Sequence, residues 1–478
     1  MKLTGKKVLV LGLGESGLAM ARWSAYCGAQ VTVSDTREHP DRLPQLKKDI
    51  PEAIFMGGPF DALNLNGVDI IAVSPGLRPF VELKPILAYS QEHDVPVWSE
   101  IEMFAQALKM LEIEKGYHPA IIAVTGTNGK TTTTSLTGHM CQAAGKTVRL
   151  AGNISPAALD VLLETIKAQI LPEVWVLELS SFQLFTTNTL RADAATVLNV
   201  TQDHLDWHGS MQAYADAKAK IFGEGTVRVL NREDRMVMAM HSAKDLVVTF
   251  GGDATKQKGH FGLHTVRDVE WLSVGTGNGI HDLMPANALK IQGRHNASNA
   301  LAALALCSSI GLPFAPLLKA LREYQGEPHR VELIATIKGV RYVDDSKGTN
   351  VGATLAAIKG LGHGDTGRKN LILIVGGLGK GQDFSPLCHA VATHVKAVLL
   401  IGRDAHHIYD ELKNTGVKQI YCDSLEQAVD QGADLADDGD IVLLSPACAS
   451  MDMFRNYAHR SQVFVSQVQK IANRKGEV

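Results

Sequence analysis

Apolar runs of strand length recur along almost the whole chain, among them KKVLVLG (6–12), QVTVSD (30–35), VDIIAVSPG (68–76), VWVLELS (174–180), ATVLNVTQD (195–203), NLILIVGG (370–377), KAVLLIG (396–402) and DIVLLSPA (440–447). Stretches of helical periodicity separate them, and most runs end in a polar or Gly-rich turn. This alternation predicts an α/β protein built on parallel sheets with crossover helices, its ligands gathered beyond the C-terminal ends of the strands. Two polar, Pro-containing breaks, GYHP (116–119) and GEPHR (326–330), divide the pattern into three α/β segments, 1–117, 118–327 and 328–478. A chain of 478 residues is also too long for a single core. The stretch 251–280 has no clear period and is expected to form short hairpins, with His260, His264 and His281 as solvated loop residues. The longest apolar stretch, 300–307, falls short of the roughly 20 residues of a membrane span and reads as a buried helix. The terminal NRKGEV is expected to fray.

Composition narrows the function classes. Hydrophobic residues make up 45% and charged residues 20%, as in an ordinary globular protein, and the net charge is only -3. Without a basic field, nucleic acid and membrane are not expected partners, and anionic ligands must be held by local devices. The six cysteines are far apart and form no C-x-x-C, which points to reduced structural thiols rather than disulfides or zinc. The N-terminal apolar run is too short for a secretory leader, so a cytoplasmic location is expected.

AVTGTNGKTTTT (123–134) follows directly on a strand pattern. Its glycines let backbone N–H groups turn toward a phosphate, Lys130 adds a point charge, Thr131 offers a hydroxyl to Mg2+, and the following helix presents the positive end of its dipole. Gly126, Thr127, Asn128, Gly129, Lys130, Thr131 and Thr132 are the expected triphosphate contacts. Val124 stands where the pattern G-x-x-x-x-G-K-[ST] has its first Gly. A second fingerprint, GLGESG (12–17), follows the first strand, and Asp35 ends the next. Alone it would suggest a dinucleotide site, but the same turn receives any diphosphate. Two phosphate-binding segments in one chain favour a transferase or ligase acting on a nucleotide-linked substrate over an oxidoreductase. Asp35 and Arg37 are candidate ligand-facing groups. Glu178 and His204, at the ends of neighbouring strands, are placed to hold a divalent cation near the γ-phosphate. A bare ammonium beside two Mg2+ ions would be repelled, so the physical reading of Lys218, in YADAKAKIF (214–222), is a surface lysine.

The motifs TGTNGKTTT, ELSSFQL, NVTQDHLD, YADAKAKIF, GRHNASNALAA, EPHRVE, DDSKGTN and SPACASMDMF resemble, in order and over essentially the whole chain, those of the Mur ligase family, the ATP-dependent amide-forming ligases of peptidoglycan assembly. The last three, with GGLGKG, look most like the D-glutamate-adding branch, and the Asn-Pro-Arg signature of the diaminopimelate-adding branch is absent after GGLGKG. The resemblance implies a Rossmann-like N-terminal domain (1–117) for a UDP-sugar, a central P-loop ATPase domain with a mainly parallel sheet (118–327) and a C-terminal Rossmann-like α/β domain (328–478) for the amino acid. It implies ATP and two Mg2+ ions, the small-molecule substrates UDP-N-acetylmuramoyl-L-alanine and D-glutamate, an acyl-phosphate intermediate and a monomer.

It also reverses the reading of Lys218, which in the family is carbamylated and works with Thr131, Glu178 and His204 around the metals. Lys130, His204 and Lys218 become the expected catalytic residues. By the same resemblance Asn296, Asn299, Arg330 and Asp345 face the adenosine or phosphates, and Ser16, Asp35, Thr36, Arg37, Gly76 and Asn153 face the UDP-sugar. Lys347, Thr349, Lys380, Ser450, Met451 and Tyr457 surround D-glutamate. The chain departs from the family pattern at Ser155, where GNIG is usual, at Trp207, which replaces a common Arg, and at Met451 and Tyr457, where Leu and Phe are more familiar. The competing readings are a dinucleotide-dependent oxidoreductase using GLGESG, a P-loop switch or regulatory ATPase and, among ligases, a folylpolyglutamate synthase, which would not need a UDP-sugar domain.

Overall fold

The strand-helix alternation is realised as three mainly parallel sheets in a computed structural model that describes residues 3–476 apart from 61, 62, 64, 292 and 363–366. The first sheet holds β1 (Lys7–Leu11), β2 (Gln30–Asp35), β3 (Ile54–Gly57), β4 (Ile70–Val73) and β5 (Val97–Trp98) in the order β3-β2-β1-β4-β5, every pair parallel. The chain reverses its winding direction at β1, so the crevice beyond β1 and β4 is a topological switch point.

The second sheet holds β6 (Ala120–Thr125), β7 (Val148–Gly152), β8 (Val174–Glu178), β9 (Ala194–Val197), β10 (Val227–Asn231) and β11 (Val247–Phe250), all parallel, in the order β11-β10-β9-β6-β8-β7. Register sets Val124 beside Glu178 and Thr125 beside Val197, so the loop after β6 emerges between the ends of β8 and β9. Val124 is therefore a buried strand residue, which explains why no Gly is needed there.

The expected hairpins form an antiparallel meander, β12 (Phe261–Val266), β13 (Val269–Gly275) and β14 (Ile280–Pro285). Its first turn places Arg267 and Asp268 at φ 49° and 62°, the left-handed pair that matches strand twist in a two-residue hairpin. The histidines there differ from expectation. His260 is buried with its Nδ1 2.7 Å from Thr249 Oγ1, His264 pairs with Asp282 across the meander, and of the three His281 alone is exposed. Packing of the meander beside β11 turns the His260 ring inward.

The third sheet holds β15 (Glu332–Ile337), β16 (Val340–Asp344), β17 (Leu371–Gly376), β18 (Val395–Ile401), β19 (Lys418–Tyr421) and β20 (Ile441–Leu444) in the order β15-β16-β20-β17-β18-β19, parallel except for the β15 edge. Every residue of β17 and β20 is buried, as their unbroken apolar sequences require.

By contact the chain forms two compact units. One comprises Met1–Val200, His204–Ala286 and Asn299–Arg322; the other comprises Thr201–Asp203, Asn287–Ser298 and Glu323–Val478. The first two sheets fall in one unit because a single apolar cluster runs from Leu3 to Val237, closed by the helices Glu15–Tyr26, Glu100–Lys115 and Ala158–Ala168. Arg22 ties this packing with bonds to Asp49 at 2.7 Å and Asp160 at 3.0 Å. The apolar stretch from Ala300 to Cys307 is fully buried within the helix Arg294–Ser309. NRKGEV does not fray at its start: the helix Tyr457–Lys475 continues through Arg474, which pairs with Asp430, and ends on left-handed Gly476. Residues 477 and 478 lie outside the described residues. All six cysteines are free, and no described helix is long and apolar enough to cross a membrane.

Glu100 sits in this shared core. It is fully buried, accepts the Leu159 N–H at 2.6 Å and leaves Oε2 without a hydrogen-bond partner. Burial, opposed by that N–H and reinforced by Asp160 and Glu15, pushes its carboxyl up to about 8 from 4.5. The folded state thus keeps a proton that the unfolded chain releases, so this contribution to stability is full below pH 4.5 and is lost as the pH rises to about 8. Glu100→Gln should melt above the wild type at pH 8 and higher, with the gap closing toward pH 4.5. A difference in melting temperature that ignores pH would show that Glu100 titrates like an exposed carboxylate.

Candidate active site

The loop from Gly126 to Gly129 joins β6 to the helix Lys130–Ala143. Gly129 adopts φ +84°, and a Cβ there would lie 2.5 Å from Asn299 Oδ1, so only glycine lets the helix start this close to Asn299. Lys130 Nζ donates to the carbonyls of Gly126 at 3.0 Å and Thr127 at 2.9 Å, which holds the ammonium over its own loop. Thr131 and Thr132 are buried in the first helical turn. The N–H groups of Thr127 and Asn128 go to Asn199, at 2.9 Å to its carbonyl and 2.8 Å to its Oδ1. These two amides are thus engaged by the protein, a role for Asn199 that sequence reading did not assign although it follows β9.

Lys218 is buried, at 1% exposure, and this corrects the surface reading. The helix Met211–Ala219 lays it against the loop: Nζ donates to Gly126 O at 2.8 Å and lies 4.4 Å from the centre of the Tyr214 ring. Charge-quadrupole attraction and one carbonyl replace part of the lost hydration. Tyr214 OH in turn is 3.2 Å from Thr127 Oγ1.

Glu178, at the end of β8, is also buried. Its Oε1 accepts from Asn153 Nδ2 at 2.9 Å, while Oε2 has no hydrogen-bond partner. His204 begins a short helical turn at φ +54°, an unfavourable backbone for a non-glycine residue and of the kind found at functional sites. Its ring meets Phe182, which follows β8, at 4.7 Å between centres. Beside it His208 Nε2 lies 2.9 Å from Ser181 Oγ, and burial, with the charge of Lys218, lowers its pKa to about 4. With Lys218 as the unmodified ammonium, His208 is therefore neutral at pH 7. Trp207 packs on Phe182, Phe185 and His208.

In the same unit a cleft of about 300 Å³ opens at the switch point of the first sheet, lined by Ser16, Asp35, Thr36, Arg37 and Gly76 among others. Asp35 accepts from Leu13 N at 2.7 Å and from Arg37 through three bonds. Burial works against the charge, but these donors prevail and bring the Asp35 carboxyl down to about 2. The acid and Arg37 therefore neutralise one another, and Asp35 anchors the glycine turn as well as lining the cleft. Ser155 Oγ donates to Glu15 Oε2 at 2.8 Å, which ties the Asn153 loop to that turn through a contact that a glycine could not make.

In the other unit three loops leave the adjacent ends of β16, β20 and β17. Lys347 and Thr349 stand on the first, Ser450 and Met451 on the second and Lys380 on the third. Lys347 Nζ lies 5.5 Å from the centre of the Tyr457 ring. Ser450 is buried, whereas Met451 is 66% exposed. Asp345 accepts from Ser445 Oγ at 2.7 Å; its burial, moderated by Ser445 and the charge of Arg330, raises its carboxyl to about 7. Asn296 is buried near the start of its helix. Arg460, another residue not anticipated, is fully buried and donates to Ser346 O at 2.8 Å and Cys448 O at 3.2 Å, with burial lowering its pKa to about 10. His329, Glu332 and Asp344 bring potential metal ligands within 4.8 Å of one another, but Asp344 is already engaged by Ser346, His329 and Ser461.

Three family models match the chain: a Mur ligase MurD-like N-terminal domain at 6–99, a Mur ligase middle domain at 124–307 and a Mur ligase glutamate ligase domain at 329–448. The chain is 54% identical to the UDP-N-acetylmuramoylalanine--D-glutamate ligases of Ralstonia nicotianae and Cupriavidus pinatubonensis, in each case over 98% of both chains. Among solved structures it is similar to the UDP-N-acetylmuramate-alanine ligase of Thermotoga maritima, with TM-score 0.60 and 21% identity over 97% of this chain and 99% of that one. The MurF ligase of Thermotoga maritima in complex with ADP shares the fold at TM-score 0.62 and 15% identity, over 98% and 96%. With its three α/β domains and these matches, the chain belongs to the Mur ligase family.

Proposed function

We propose that this chain is a cytoplasmic ATP-dependent ligase that joins D-glutamate to UDP-N-acetylmuramoyl-L-alanine during synthesis of peptidoglycan precursors. The observation that carries the reading is the grouping around Gly126: Lys130 and Lys218 both bond its carbonyl, next to the strand that ends in buried Glu178. The 54% identity to two ligases of that name supports the choice of substrates. Residues 1–117 would take the UDP-sugar, 118–327 ATP and 328–478 the amino acid.

A carboxylate oxygen of UDP-N-acetylmuramoyl-L-alanine attacks the γ-phosphorus of ATP, ADP leaves, and an acyl phosphate forms. The amine of D-glutamate then attacks the acyl carbon, phosphate leaves and the nitrogen loses a proton, giving the amide. The protein's part is alignment and charge neutralisation. Lys130 presents its ammonium to the transferring phosphoryl. Asn296, Asn299, Arg330 and Asp345 orient the nucleotide; Ser16, Asp35, Thr36, Arg37, Gly76 and Asn153 hold the UDP-sugar. Lys347, Thr349, Lys380, Ser450, Met451 and Tyr457 receive D-glutamate, whose carboxylates suit the two lysines.

The donor set fits Mg2+, since Glu178 Oε2 is a buried carboxylate oxygen lacking a hydrogen bond. Glu178 and His204 would hold one ion and the Thr131 hydroxyl the other. Bound there, Mg2+ supplies positive charge to the phosphoryl oxygens. Lys218 is assigned as the carbamylated lysine.

Phosphate release with ATP, Mg2+ and UDP-N-acetylmuramoyl-L-alanine tests the reading when D-glutamate is present, omitted, or replaced by L-glutamate or meso-diaminopimelate. Turnover that requires D-glutamate is expected. Turnover with another amine would replace the acceptor, and release indifferent to every amine would leave an ATPase.

A further inference from the structure

Gln382 lies two residues beyond Lys380 and is buried, at 7% exposure. Its side-chain amide reaches three loops. Oε1 accepts the Val351 N–H at 3.1 Å, and Nε2 donates to the carbonyls of Gly379 at 2.9 Å and Ala447 at 3.3 Å. The orientation of the amide follows from its partners, because a flipped group would set its oxygen against two carbonyls. Each partner lies within three residues of one assigned to the amino acid: Val351 opens the helix two residues after Thr349, Gly379 directly precedes Lys380, and Ala447 stands three residues before Ser450.

Two of these loops hold non-glycine residues in left-handed backbone, Lys380 at φ 53° and Ala447 at φ 56°. Such conformations persist only where the surroundings enforce them. Gln382 bonds the carbonyl of Ala447 and that of the residue before Lys380, so it acts at both.

We propose that Gln382 is a positioning residue that sets the spacing of the three loops forming the amino-acid pocket, an inference that rests on the ligase reading above. It touches no reacting atom. Its three bonds keep Lys347, Thr349, Lys380 and Ser450 pre-arranged, so that binding does not have to order them.

Gln382→Met keeps the length of the side chain and removes all three bonds. In steady-state assays its KM for D-glutamate should rise about tenfold or more, while its KM for ATP stays within about twofold of the wild type. Gln382→Glu keeps the acceptor for Val351 and loses both donors; it should show the same selective rise, and it carries the test if the Met variant does not fold. Lower kcat with an unchanged KM for D-glutamate in either folded variant would overturn the role, because that is the signature of a smaller active fraction. The wild-type arm separates the two ideas. A wild type that does not use D-glutamate overturns the ligase reading, whereas normal wild-type saturation with unshifted variants overturns only the role of Gln382.

Discussion

Lys130→Ala should lower kcat by about 10²-fold or more, the scale of loss when one aligned electrostatic group is removed from a transition state. The alanine variant keeps both glycines, whose backbones turn at φ 153° and 84°, but removes the charge held over the loop by two carbonyls at 3.0 and 2.9 Å. Those acceptors are neutral. A triphosphate offers charged oxygens that bind an ammonium more strongly, so the lysine can transfer to it at little expense. Phosphate release at saturating substrates reads the effect, with thermal melting as the control for folding. Turnover near the wild-type rate in a folded Lys130→Ala protein would remove Lys130 from the chemistry.

Lys218 should carry the mass of one added CO2 in intact active protein, and Lys218→Met should lose turnover by about 10²-fold or more. The neutral amine adds to CO2 and releases a proton, leaving an anionic carbamate where an ammonium stood. The side chain is buried against the Tyr214 ring and the Gly126 carbonyl, which holds the nitrogen in one place beside the phosphate loop. The Met variant keeps the apolar stem beside Tyr214 and removes the nitrogen that bonds Gly126 O. Its melting curve therefore separates loss of the anion from collapse of the loop. Fully active protein with an unmodified Lys218 would overturn the carbamate, and an active Met variant would remove the residue altogether.

Much of this architecture was legible because it is written in local signals. Continuous apolar runs such as LILIVG and IVLL mark strands covered on both faces, and polar turns after them mark where ligands gather. Glu178 and the glycine loops were picked out as candidates that way, and the structure does place them at strand ends. Features that depend on packing between distant segments were not. Lys218 read as exposed because a sequence shows its charge and not the Tyr214 ring beneath it. Gln382 and Arg460 look like ordinary polar residues until their partners, up to 114 positions away, are known. His260 was missed for the same reason, its ring being turned in by the packing of the meander.

The apolar cluster that runs from Leu3 to Val237 has a bearing on how such proteins diversify. The first linker divides two sheets by sequence but not by interior, and the faces of three helices would be stripped of their covering if the chain were cut there. Recombination at that point succeeds only where the incoming half brings side chains that fit the same cluster. New ligand preferences in this unit are therefore reached more readily by reshaping the loops at its strand ends than by exchanging its first segment for a relative's.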